Sequence, residues 1–256
     1  MSLNPRLSDW RGRRVWLIGA STGIGRALAV ALQAEGAQVL LSARKADALE
    51  ALCQSLPGSQ AWPLDVQDAA AVQTTARMLL SDGPLDLVCY CAGHYQPMRA
   101  WEMDLPELAR HHDINVAGAQ RVLSVVVPAM LERGQGHLSL ISSVAGWRGL
   151  PRSLAYGPTK AALINLCETL YLDLRPRGLG VSLINPGFVR TPLTAGNEFR
   201  MPALIEPEDA AREVLKGWRQ GRFDIHFPKR FTFWMRLLRY LPDAWYFASV
   251  RRMTGL

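Results

Sequence analysis

The stretch "RVWLIGASTGIGRALAVALQAEG", residues 14–36, holds three kinds of sequence in succession. Arg14 to Ala20 is a short apolar run rich in strand formers, Gly19 to Gly25 is rich in glycine, and "RALAVALQAEG" spaces its apolar side chains at helical intervals. A strand joined to a helix by glycines turns tightly, and the helix then points its free N–H groups at whatever lies above the sheet. Its dipole favours an anion there, and glycine lets the backbone come close to a pyrophosphate. The spacing is G-x-x-x-G-x-G rather than the more familiar G-x-G-x-x-G, and a lone glycine motif serves equally as a structural turn. Its place in the first strand–helix unit makes Gly19, Ser21, Thr22, Gly23, Ile24 and Gly25 candidate dinucleotide contacts.

The alternation continues outward from this unit. "AQVLLSA" (37–43) reads as a second strand and "KADALEALCQSL" (45–56) as a second helix. "QAWPLDV" (60–66) is a third strand, followed by a helix over 67–81. "LDLVCYCAG" (85–93) precedes a helical stretch over 104–132, and "GHLSLISSVAG" (136–146) precedes a helix over 154–175. "LGVSLINPG" (179–187) and "FDIHFP" (223–228) complete the series. Strands apolar on both faces and alternating with helices predict a parallel sheet covered on each side. Right-handed crossovers make that an α/β, doubly wound, Rossmann-like sheet of about seven strands. With no low-complexity linker and no fixed repeat, residues 1–256 read as one domain, with a helical extension over 229–256.

Composition narrows the classes. A chain of 256 residues can bury a substantial core. No apolar run approaches the ~18 residues of a membrane span. "MSLNPRLSDWRGRR" lacks the apolar centre of a secretion signal, so a cytoplasmic location is expected. The cysteines Cys53, Cys89, Cys91 and Cys167 show no C-x-x-C spacing and read as reduced core residues. Cys89 and Cys91 face one side of a strand, but two thiols make a poor metal site, and the neighbours His111 and His112 point in different directions on a helix. No metal is expected.

Chemistry-bearing residues gather at predicted strand ends. The second strand ends in Ala43-Arg44-Lys45 with no carboxylate. An acidic group there would suit the ribose hydroxyl of NAD(H), whereas the planar fork of Arg44 suits the 2′-phosphate of NADP(H). NADP(H) is therefore the expected cofactor, with NAD(H) left open and a surface arginine as the bland alternative. Ser143 ends the fifth strand, and Tyr156 and Lys160 open the next helix in "AYGPTKAAL" (155–163). A parallel sheet delivers its C-terminal strand ends to the same rim as the glycine turn.

Taken together, "GASTGIG", Leu64-Asp65, Ala92-Gly93, Asn115 in "DINVAG", Ser143, "YGPTK" and "NPGFVRTP" (185–192) closely resemble the short-chain dehydrogenase/reductase family over about residues 12–228. The resemblance implies an oxidoreductase that interconverts a carbonyl and a secondary alcohol. Tyr156 would trade the proton, Lys160 would lower the phenol's pKa and bind the nicotinamide ribose, and Ser143 would orient the substrate oxygen. Asn115 would hold a water linking Lys160 to solvent. Asp65 and Val66 would meet the adenine, Ala92 and Gly93 would let the backbone approach the cofactor, and Pro186, Gly187, Val189 and Thr191 would border the nicotinamide. Singly, Ser143 could instead cap a turn, Asn115 bond to backbone, and Lys160 be a solvated helix residue. One departure stands out, since Tyr90 and Cys91 replace the family's usual two asparagines before Ala-Gly. That departure is expected to weaken support for the central strands.

The C-terminal part is unusual. From Arg212 to Leu256 there are ten Lys or Arg and three Asp or Glu, so this segment alone carries the net charge of +7. Apolar residues of 192–206, including Phe199, Met201, Leu204 and Ile205, suggest a hydrophobic substrate or simply lid packing. In "KRFTFWMRLLRYLPDAWYFASVRRM" (229–253) aromatics and leucines interleave with arginines, and Pro242 splits two expected helices. Packing on the protein's own core or on a second subunit is the expected fate of such a stripe, and peripheral contact with a membrane is the alternative. The family commonly forms dimers or tetramers. Nucleic-acid binding is not expected, because no recognised motif accompanies the charge. A second reading, a nucleotide-binding interaction protein with vestigial catalysis, is opposed by the intact Ser-Tyr-Lys-Asn set.

Overall fold

The computed structural model describes residues 2–197, 199 and 201–255. Among them, β1 (Arg14–Ile18), β2 (Gln38–Ser42), β3 (Gln60–Ala61), β4 (Leu87–Tyr90), β5 (His137–Ile141), β6 (Gly180–Pro186) and β7 (Asp224–Phe227) form a seven-stranded sheet in the order β3-β2-β1-β4-β5-β6-β7. Each pairing is parallel. Strand order reverses between β1 and β4, which opens a crevice beyond their carboxyl ends.

The period of two in β1 explains the layers. Val15 and Leu17 face one apolar core, which they share with Leu28 of α1 (Gly23–Ala34), Leu49 of α2 (Ala46–Ser55) and Trp218 of α7 (Pro207–Arg219). Trp16 and Ile18 face the other, built with Val72 of α3 (Ala69–Ser81), Val122 of α5 (Gly118–Arg133) and Leu163 of α6 (Tyr156–Leu174). The stretch from Leu105 to Arg133 is long and apolar enough to cross a membrane, yet half of its most apolar window is buried in the fold, as befits a core helix. It is also not one uniform helix: α4 (Leu105–His112) passes through a π turn over Asp113–Ala117 into α5.

Two strands are shorter than their sequence suggests. The regular ladder of β3 ends at Ala61, although Trp62 N and Leu64 N still bond to Leu41 O and Ala43 O at 2.8 and 2.9 Å, and Pro63, with no N–H, is tolerated because that position faces the open edge of the sheet. β5 stops at Ile141 because Ser143 caps a short turn over Val144–Gly146. After Pro228 the chain forms α8 (Lys229–Arg239) and α9 (Asp243–Thr254), separated at Pro242. Their inner sides pack: Phe231 and Met235 lie on the core, and Thr232, Tyr246 and Val250 are buried. Their outer sides remain in water.

His137 sits fully inside the sheet, where Gly180 leaves it room: a Cβ there would lie 2.2 Å from its Nδ1. Its Nε2 meets Ser182 Oγ at 2.9 Å, and burial pushes the imidazole down to about 3. The unfolded histidine titrates near ~6.5, so below that pH the unfolded chain takes a proton that the fold refuses. Stability should fall by about 1.4 kcal/mol per pH unit from this residue, beginning below ~6.5 and ending at its folded value. Buried His226, pushed down to about 4, adds to the same slope. The midpoint of chemical unfolding measured between roughly pH 7 and pH 4.5 should drop, and less steeply in His137→Gln.

Candidate active site

The glycine turn is held against β2 and β4 with no slack. Gly19 N and Ala20 N both donate to Ser42 O, at 2.7 and 3.0 Å. Gly19 has φ +93°, and a Cβ on it would lie 2.5 Å from Ala92 N. Gly23 has φ +56°, and its Cβ would meet Thr191 Cγ2 at 2.9 Å. The rim thus unites the Gly19–Gly25 turn, Ala92-Gly93 and Thr191, with the N-terminus of α1 facing the crevice. Arg44 lies exposed two residues past the end of β2. Asp65 accepts from Gln67 N at 3.0 Å, and buried Val66 is fixed by Arg121, which donates to its carbonyl at 3.0 Å. Pro186 ends β6, Gly187 N donates to Phe227 O at 2.7 Å, and Val189 bridges to Ile205. A backbone cradle that a single Cβ would fill, at a helix N-terminus, fits a pyrophosphate.

Beside it stand the proton-transfer candidates. Tyr156 is the first residue of α6, and Lys160, one turn on, brings Nζ to 5.4 Å from the Tyr156 ring centroid. The two side chains therefore share one side of the helix. Nζ is buried and donates to Ile141 O at 2.9 Å, while Ser142 Oγ donates to Lys160 O at 2.7 Å, so the end of β5 and the first turn of α6 are tied twice. Ser143 Oγ accepts from Ala145 N at 3.1 Å. It does cap a turn, and its O–H is left to donate toward the Tyr156 hydroxyl.

Asn115 is fully buried and bonded at both ends of its carboxamide. Oδ1 accepts from His94 N at 2.7 Å, and Nδ2 donates to His94 O and Thr159 Oγ1, each at 3.0 Å. Thr159 Oγ1 in turn donates to Tyr156 O at 2.7 Å. The side chain of Asn115 thus positions the 93–94 loop against the start of α6.

In the protein alone, burial pushes Tyr156 above the ordinary phenol range, with Ser143 pulling downward and Tyr95 adding to the rise. Lys160 is pushed down to about 8, also by burial, with partial compensation from Cys91.

A model of the family described as short chain dehydrogenase matches residues 13–200. The chain belongs to the short-chain dehydrogenase/reductase family. It is 37% identical over 252 residues to an uncharacterized oxidoreductase of Myxococcus xanthus, covering 96% of this chain and 100% of that one. Among solved structures, it resembles a short-chain dehydrogenase from Streptomyces avermitilis with TM-score 0.81 and 27% identity, covering 95% of each chain. It also resembles a short-chain dehydrogenase/reductase from Burkholderia phymatum in complex with NAD, with TM-score 0.83 and 26% identity, covering 90% of this chain and 94% of that one. The protein is an oxidoreductase of this family, whose members bind NAD(P).

As a family member it compensates for its departure at Tyr90-Cys91. Tyr90 Oη donates to Ile114 O inside the π turn at 2.5 Å, and Gly118 makes the room, since a Cβ there would lie 2.3 Å from Tyr90 Oη. A π turn disturbs the regular helical bonding, and the tyrosine takes a carbonyl there. Support for the central strands is rebuilt rather than weakened. Cys89 and Cys91 bring their Sγ atoms to 3.5 Å.

Three features escape a reading of the sequence. Tyr95 packs edge-on against Tyr156 with centroids 4.9 Å apart and donates to Asn197 Oδ1 at 3.2 Å, linking the site to the 192–206 segment. Arg148 reaches α8 and α9. His94, Glu107 and His111 form the one cluster of potential metal ligands among the described residues. In it, His111 Nε2 accepts Gln96 N–H at 3.0 Å, so Nδ1 carries the proton and donates to Glu107 O at 2.8 Å. Burial lowers the pKa of His111, which keeps it neutral. Neither ring nitrogen of His111 has a lone pair to offer a metal, and His94 Nε2 bonds to the Glu107 carboxylate. The cluster braces a loop. His111 is buried and His112 exposed, as their adjacency on a helix implies.

Tyr90→Phe removes a buried donor and leaves Ile114 O without its partner. It should lower the unfolding free energy by about 1–3 kcal/mol, measured by denaturant titration.

Proposed function

We propose that the protein is an NADP(H)-dependent carbonyl reductase of apolar substrates, with Tyr156 as proton donor. The observation that carries this reading is the half-buried Tyr156 phenol within hydrogen-bond reach of Ser143 and beside the Lys160 ammonium, on the rim that carries the glycine cradle. When bound in the cradle, the cofactor would supply the hydride to the carbonyl carbon. Tyr156 gives its proton to the carbonyl oxygen, so a ketone or aldehyde leaves as an alcohol. The phenolate left behind is stabilised by the Ser143 hydroxyl and the Lys160 ammonium, which burial otherwise penalises. Lys160 then resupplies the proton, and the backbone of Asn115, in the π turn, is where a connecting water would be held.

Arg44 supports the choice of NADP(H), since no carboxylate stands at the end of β2 and the guanidinium is exposed and free to turn toward a 2′-phosphate. An apolar substrate is supported by the ring chain Phe199–Phe188–Phe231, with centroids 5.6 and 5.5 Å apart, and by Ile205 packed on the core. A homo-oligomer in the cytoplasm is the setting proposed.

Following NADPH absorbance with a panel of ketones and aldehydes tests the reading. Tyr156→Phe should lower kcat by roughly a hundred-fold or more while cofactor binding persists. Full activity in that variant would refute the proton-donor role. Arg44→Asp should weaken NADPH binding by about ten-fold or more with little effect on NADH, and unchanged NADPH affinity would remove Arg44 from phosphate recognition.

A further inference from the structure

The outer faces of α8 and α9 are apolar, cationic and uncovered. Phe233, Trp234 and Leu237 on α8 and Tyr240 just past its end follow one another at helical spacing, and Trp234 and Tyr240 are 64% and 78% exposed. On α9, Trp245, Phe247 and Met253 are exposed as well, Trp245 at 67%. Lone exposed apolar residues need no explanation, but a run of large ones marks an interaction surface.

Charge decides the occupant. Residues 229–256 hold Lys229, Arg230, Arg236, Arg239, Arg251 and Arg252 against a single acid, Asp243, for a net 6 − 1 = +5. Asp243 is already paired with Arg148, and Arg236 with Asp224. A second copy laid on this face about a two-fold axis would set arginine against arginine with no carboxylate to spare. An anionic lipid surface offers the opposite: phosphates for Lys229, Arg230 and Arg239, and an interfacial layer that Trp and Tyr side chains prefer.

The surface is also held firmly to the catalytic side of the fold. Arg148 donates to Leu241 O at 2.7 Å and Arg239 O at 3.3 Å, satisfying carbonyls at the end of α8. Its guanidinium lies 3.9 Å from the Tyr246 ring centroid. Phe231, on the inner side of α8, packs on Phe188 next to Gly187.

We propose that the α8–α9 face docks on a bilayer surface containing anionic phospholipid. The docking stands whether or not the carbonyl-reductase reading does. It gives that reading a supply route, since an apolar substrate dissolved in lipid would reach the aromatic chain leading from α8 to the site.

Flotation of the full-length protein with vesicles tests this without any turnover, so its failure would leave the reductase reading intact. Vesicles of phosphatidylcholine alone are compared with vesicles in which about one-third is phosphatidylglycerol. The protein should float with the second kind and not the first, and release as salt is raised. Arg230→Glu with Arg239→Glu should cut the bound fraction roughly ten-fold or more. Trp234→Ser, an exposed site where the fold loses nothing, should weaken binding separately, with unfolding midpoints unchanged in both variants. No flotation with anionic vesicles, or equal flotation of the charge-reversed variant, would overturn the proposal. So would a wild-type dimer in sedimentation velocity that Trp234→Ser dissolves, since the face would then belong to a second copy.

Discussion

The end of the first strand and the end of the fourth meet with no space for one additional carbon. Gly19 and Ala92 touch backbone to backbone, and any side chain at 19 would overlap the Ala92 amide. That contact continues the β1–β4 ladder to the point where strand order reverses. The crevice exists because neighbouring strands send their chains to opposite faces at that point. The same close approach leaves the glycine turn between Ala92 and Thr191, at the start of α1.

On the other side of the crevice, order comes from buried polar groups that have to be satisfied. Ser142, Lys160, Asn115 and Thr159 are all nearly inaccessible to water; the first three bond to backbone of another segment, and Thr159 joins Asn115 to the Tyr156 carbonyl. Breaking any of these bonds would leave a buried group unpaired, which costs more than a typical net hydrogen bond contributes. The network therefore has one arrangement, and Tyr156 inherits it through its own carbonyl. Precision at the phenol is a by-product of satisfying its neighbours.

The sequence discloses the parts whose cause is local. Alternating apolar runs reveal the strands, because in a doubly wound sheet both faces are covered. The glycine turn is legible because only glycine tolerates positive φ and close approach together. Ser143, Tyr156 and Lys160 are legible through their spacing, and the structure brings them together. What stays hidden is set by distant partners. Tyr90 looks like a loss until the π turn supplies the carbonyl it binds. The His94–Glu107–His111 brace joins a loop to a helix across 13 residues, with no periodicity to announce it. The desolvation of Tyr156 and Lys160 is hidden for the same reason, since it belongs to the assembled site.

The tail also packs against the loop that carries Ser143. Trp147 lies against His226, with centroids 5.8 Å apart, and Arg236 of α8 lies 5.7 Å from the same indole. Arg148, the next residue, anchors the α8–α9 junction. Both belong to the loop that starts at Ser143, so the extension covers the outer side of the turn whose hydroxyl faces Tyr156. The flank of that loop is closed by the two helices, whose far side is apolar and cationic. The inner face packs on the loop of Ser143, and the outer face is left to meet whatever surface complements it.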